Sequence, residues 1–184
     1  MSSEHPETIP FAEALPAIRA AVQPLVGLRL STVTRAVEML TLGFGELYTV
    51  GKREVPPYAL HVSAPWRLDH LATGTITGRS DVWEPVEVPA PEGWHWDEGP
   101  NLRDHLLGQL FPLNEAKRRN ENHGDDFVVR EVDATAAGDL TLRFAGPYEL
   151  RILPQSTRQE AWRVFSPGDY TPHFVFEAGA AGYQ

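Results

Sequence analysis

Few side chains in this chain of 184 residues stand at spacings that chemistry could use. One such grouping is His123-Gly124-Asp125-Asp126, one imidazole and two carboxylates within four positions. Such donors suit a divalent cation or a hydrolytic general base, although polar loops of this composition are more often simply solvated. His5, His61, His70, His95, His105 and His173 complete the histidines, and none joins another in an HExxH pattern. Cysteine is missing altogether, which excludes disulfides, a thiolate nucleophile and cysteine-based zinc sites. No Gly-x-Ser-x-Gly elbow or Walker loop occurs, and Gly43-Phe44-Gly45 is too short to cradle a phosphate. Neither a metal nor a cofactor is expected.

A second constellation comes from strand alternation. Tyr58, Leu60 and Val62 alternate with Ala59, His61 and Ser63. If the first set and Trp66 face a core, then His61, Ser63 and Arg67 share the opposite face. Residues 140–144 (LTLRF) and 148–152 (YELRI), joined by Ala145-Gly146-Pro147, read as a hairpin. Its register sets Phe144 against Tyr148, Arg143 against Glu149, and Leu142 against Leu150. In a shared sheet, His61, Arg67, Arg143 and Arg151 would form an arginine-rich face able to fork a carboxylate or phosphate. The plainer reading is ordinary cross-strand ion pairs. Arg67 with Asp81 is a further expected pair, of a structural kind.

The elements that must position these groups are set by periodicity. Phe11, Leu15, Ile18 and Val22 mark a helix over 11–23, with Pro16 inside it. Strands are predicted near 28–35, 37–44, 58–64 and 73–78, with 46–57 a solvated loop. Residues 84–100 hold Pro85, Pro89, Pro91, Gly93, Gly99 and Pro100 together with Trp94 and Trp96. They are predicted as an irregular loop whose tryptophans dock on the domain. A second helix starts at the Asn101 cap and buries Leu102, Leu106, Leu107, Leu110 and Phe111. Residues 112–126 are predicted as a mobile polar loop. Four or five short strands come after it, among them 161–165 and 174–177, while 1–10 and 179–184 are expected to fray. Ala64-Pro65-Trp66-Arg67 and Ala161-Trp162-Arg163 are similar, but too short to mark a duplication. The fold class is α+β: an antiparallel, curved sheet of many strands with two packed helices, in a single domain over 1–184.

Several phrases, 58–68 (YALHVSAPWRL), 78–85 (GRSDVWEP), the 101–111 helix, 140–165 and 173–179 (HFVFEAG), resemble a family of small uncharacterised bacterial α+β proteins with no established activity. The resemblance implies a single α+β domain and carries no site residue over.

The net charge is −9, which argues against nucleic acid as a partner. No apolar run could span a membrane, and the start, Met1 to Pro6, does not read as a secretory signal, so a cytoplasmic location is expected. The leading expectation is a soluble protein-binding module, of inhibitor or immunity type, for a partner more basic than itself. Trp94 and Trp96 would serve as anchors, with Asp125 and Asp126 steering the encounter. The alternatives are a binder of anionic small molecules or hydrolytic enzyme, and a subunit of a larger assembly exposing Trp83, Trp94 and Trp96.

Overall fold

A computed structural model describes residues 7–184. The chain runs through β1 (Glu7–Ile9), α1 (Phe11–Val22), β2 (Leu30–Ala36), β3 (Met39–Phe44), β4 (Tyr48–Val50), β5 (Arg53–Val55), β6 (Tyr58–Val62), β7 (Trp66–His70) and β8 (Gly74–Gly78). It continues through α2 (Leu102–Leu110), β9 (Leu113–Asn114), β10 (Arg119–Glu121), β11 (Val129–Ala134), β12 (Leu140–Phe144), β13 (Tyr148–Ile152), β14 (Glu160–Phe165), β15 (Phe174–Glu177) and β16 (Ala180–Tyr183). The fold is α+β, with open antiparallel sheets: a nine-stranded one ordered β1-β16-β15-β14-β6-β3-β2-β10-β9, and a five-stranded one ordered β11-β12-β13-β7-β8. The hairpin β4–β5 stands apart.

Alternation dictates which face of each sheet is buried. Leu40, Leu42, Leu60, Val62, Trp162, Val164, Phe174 and Phe176 point inward from the large sheet, and Trp66, Leu68, Leu140, Leu142, Leu150 and Ile152 from the small one. The two sets meet in one core. Trp162, fully buried, stacks between Phe174 and Phe176 at 5.9 and 5.7 Å, and its Nε1 donates to the Gly138 carbonyl at 2.8 Å. Gly138 sits at φ +84, and a Cβ there would lie 2.4 Å from the Phe176 ring, so this turn admits only glycine.

Helix α1 closes one open side by packing on β11 and β16, a strand from each sheet. Its buried stripe is Ala14, Ile18 and Val22, whereas Phe11, predicted to lie on it, is 69% exposed. Helix α2 begins at the predicted cap, Asn101 Oδ1 accepting from Asp104 N at 2.9 Å. Its buried face is also rotated from the expected one: Arg103 and Leu107 are buried, while Leu102, Leu106 and Leu110 are half-buried. Arg103 can lie inside because its Nε donates to Asp104 and its Nη1 to the Glu38 carbonyl.

Other expectations are corrected. The predicted loop at 46–57 folds as β4–β5. The predicted mobile loop at 112–126 forms β9 and β10, with β10 extending the large sheet alongside β2. The predicted frayed tail at 179–184 supplies β16, which lies between β1 and β15 with Ala181 buried. Of the start expected to fray, 7–9 is a strand and 1–6 lies outside the described residues. The 140–152 hairpin has the predicted register, Arg143 against Glu149 and Leu142 against Leu150. Among the described residues no helix is long and apolar enough to cross a membrane.

The rotated α2 face is testable. Leu107→Ala should cost on the order of 2–5 kcal/mol and Leu106→Ala distinctly less. Equal losses in urea denaturation would place both side chains in the core.

Candidate functional site

The structure divides the predicted arginine face. Arg67, Arg143 and Arg151 share the outer face of the five-stranded sheet, but His61 lies on the nine-stranded sheet, because the chain changes sheets between β6 and β7. Arg67 opposes Arg151 and Asp69 opposes Glu149 in register. These like-charge oppositions are relieved by pairs of opposite sign. Arg67 Nε donates to Asp69 at 2.9 Å, and Arg151 Nε to Glu149 at 2.5 Å. Arg143 reaches Glu149, Glu131 and Asp133 at 3.0, 2.8 and 2.6 Å, and these carboxylates hold its pKa above the usual arginine value. Four carboxylates thus face three guanidiniums, so the face offers an anion no excess positive charge. Arg67 does not pair with Asp81 as expected. Asp81 instead accepts from the Thr77 hydroxyl and the Gly78 N–H.

His61 belongs to a different group, on the outer face of the large sheet. It opposes Arg163 across the β6–β14 pair and meets Phe165 edge-on at 4.8 Å. Phe165 stacks on His173 at 4.1 Å. Arg163 is tied to Glu160 and donates through Nη1 to His173 Nδ1 at 3.3 Å. A guanidinium can only donate, so this contact calls for the Nδ1 lone pair of a neutral ring. Burial first, and the neighbouring Arg163 second, hold both histidines below the ordinary imidazole pKa.

The remaining predicted residues do not converge. His123 is 3.6 Å from the buried Glu121, Asp125 pairs with Arg29 at 3.0 Å, and Asp126 lies in the 3-10 turn before β11. Among the described residues no three histidine, cysteine or acidic side chains are grouped as a metal centre would need. Trp94 and Trp96 are half-buried in the 84–100 loop. Trp94 Nε1 donates to the Pro100 carbonyl at 3.0 Å, and Asp97 anchors the loop to Arg35 at 2.9 Å.

One sizeable recess was not foreseen. It is a cleft of about 560 Å³ at the end of the sandwich beside α1. The strand ends supply Tyr58, Val164, Phe165, Phe174 and Tyr183, and α1 with the turn after it supplies Ala20, Ala21 and Pro24. Alanines on this flank leave the space that larger residues would fill. Tyr48 of β4 and the 166–172 segment form the rim. Rim and hairpin meet closely: a Cβ on Gly168 would lie 2.0 Å from the Tyr48 hydroxyl oxygen. The turn is closed by Asp169 N donating to the Ser166 carbonyl at 3.2 Å. Hairpin β4–β5 is held from its other side, Glu54 pairing with Lys117 and Arg119 at 2.6 Å each. A signal for the rim was present in Ser166-Pro167-Gly168-Asp169, a turn sequence, and in Gly51-Lys52 between two β-rich triplets. The cleft itself needs residues from 20 to 183 brought together, which no local pattern displays.

Comparison of the chain with protein-family models, with curated proteins and with solved structures finds no match.

The histidine group gives stability a definite pH dependence. A lowered folded-state pKa means that the unfolded chain binds the proton more readily. Stability is therefore complete above the ordinary histidine value of about 6.5, and declines as pH falls through it toward the lowered values. The urea midpoint should drop between pH 7.5 and 5.5, and drop less in the double variant His61→Gln/His173→Gln. Equal drops would assign the dependence to other groups.

Proposed function

We propose that this protein binds a small molecule in the cleft between α1 and the strand ends of the nine-stranded sheet. The observation that carries the reading is the lining: Tyr48, Tyr58, Phe165, Phe174 and Tyr183 around a space of about 560 Å³, with Ser166, Asp169 and Thr171 as its polar groups. Binding sites for small ligands are typically concave, roughly 300–1,000 Å³, and mainly apolar with a few placed polar atoms. The arginine-bearing sheet face fits less well, since its guanidiniums are already held by carboxylates on an open sheet surface.

The test is an NMR titration of labelled protein with small phenols and indoles. Shifts should gather at Tyr48, Tyr58, Phe165 and Thr171. Ala20 is exposed on α1 and lines the cleft, so Ala20→Trp should abolish binding without changing the circular dichroism spectrum. Fragments that bind elsewhere, or that ignore Ala20→Trp, would defeat the reading.

A second reading, recognition of a more basic protein, is supported by the 80–102 segment. It carries Asp81, Glu84, Glu87, Glu92, Asp97 and Glu98 with no lysine or arginine, alongside Val88 at 89% and Trp83 at 43% exposure. Asp125 and Asp126, expected to share in this role, make no contact with that segment by hydrogen bond or ion pair among the described residues. Neutralising Glu87, Glu92 and Glu98 together should slow association with such a partner more than it hastens release, and added salt should do the same. Recovery of no protein partner at low salt from the native host would count against it.

A further inference from the structure

The charge pattern of the cleft narrows the class of ligand. Among the described residues Asp169 is the one ionic side chain in its lining; no described lysine, arginine or histidine joins it. Elsewhere the carboxylates on packed surfaces are taken: Asp69 by Arg67 and Thr75, Asp81 by Thr77 and Gly78, Glu149 by Arg143 and Arg151. Asp169 makes no side-chain hydrogen bond or ion pair among the described residues; its backbone N–H alone is engaged, in the turn. That turn is seated on Tyr48 through Gly168, so Asp169, exposed to solvent, stands in the rim of a cleft with an aromatic wall.

We propose that the cleft takes an organic cation, a protonated or quaternary amine bearing an apolar group, with Asp169 as its counter-ion. This inference rests on the reading of the cleft as a ligand site. The electron-rich faces of tyrosine and phenylalanine attract a cation within about 6 Å of the ring centre. The apolar group gains by leaving water among Tyr58, Val164 and Phe174. A lining with one carboxylate and no cation disfavours an anion outright, and the net charge of −9 steers cations toward the surface.

Three probes of one shape separate the possibilities: phenethylamine, phenethyl alcohol and phenylacetate, titrated calorimetrically at pH 7. The amine should bind roughly tenfold more tightly than the alcohol, and phenylacetate most weakly. Asp169→Asn should weaken the amine roughly tenfold and the alcohol far less, erasing most of the amine's advantage, and Ala20→Trp should abolish binding of both. Equal affinity for amine and alcohol would overturn the cation class yet leave the cleft as the binding site. An amine preference that persists in Asp169→Asn would overturn the counter-ion. Binding of none of the three, or binding indifferent to Ala20→Trp, would instead overturn the cleft reading on which the inference rests.

Discussion

Neither sheet can bury its apolar face alone, and the chain solves this by passing from one to the other four times. Residues 63–65 carry it from β6 to β7, 79–112 from β8 to β9, 122–128 from β10 to β11, and 153–159 from β13 to β14. The first crossing is pinned where Ser63 and Ala64 both donate to the Ala161 carbonyl at 2.9 Å. Since successive side chains alternate across a strand, fixing that corner fixes the facing of β6 and β7 together. Val62 and Trp66 must both point inward, and His61 and Arg67 must then point out of different sheets. Trp162 occupies the middle of the shared interior. A slip of one residue in β14 would exchange it with Arg163 and put a guanidinium against two phenylalanine rings.

The outer faces obey a different constraint. Glu149 is only 4% exposed, so its charge needs partners, and two arginines supply them. Many of the chain's arginines are committed in this way: Arg35, Arg67, Arg79, Arg143, Arg151 and Arg163 each hold a carboxylate. An arginine-rich stretch of sequence therefore does not imply a positive surface.

The same two constraints decide how far the sequence could be read. Elements with strong periodicity and their own turn chemistry were legible: α1 and its approximate ends, the β2–β3 pair, and the 140–152 hairpin down to its register. Errors fell where a tertiary partner overrode the local signal. The polar 112–126 stretch becomes β9 and β10 because β2 offers its edge, and Arg119 joins Glu54 and Glu121 there. The small, polar tail becomes β16 because β1 and β15 flank it, although its alanines and glycines carry little intrinsic strand preference. Helix α2 turns Arg103 inward because Asp104 and the Glu38 carbonyl satisfy two of its nitrogens, a compensation that hydrophobic spacing alone cannot anticipate. The candidate ligand residues were the least legible: His61 and Arg67 would share a face only within one sheet, and the change of sheet between them leaves no trace in alternation.

The cleft and the arginine ladders are linked by the same distribution of charge. The acidic residues outnumber lysine and arginine by 25 to 16. With many arginines neutralising carboxylates on the sheet faces, the charge left uncompensated is negative and falls on loops and turns, where side chains remain hydrated. One such turn, Ser166 to Asp169, borders the large recess with an aromatic wall. The recess exists because α1 brings alanines to a place where strand ends bring aromatics, and the turn stays at its edge because glycine at 168 lets it rest on the Tyr48 hydroxyl. The geometry of the core therefore makes the cleft, and the pairing of the arginines elsewhere makes it negative.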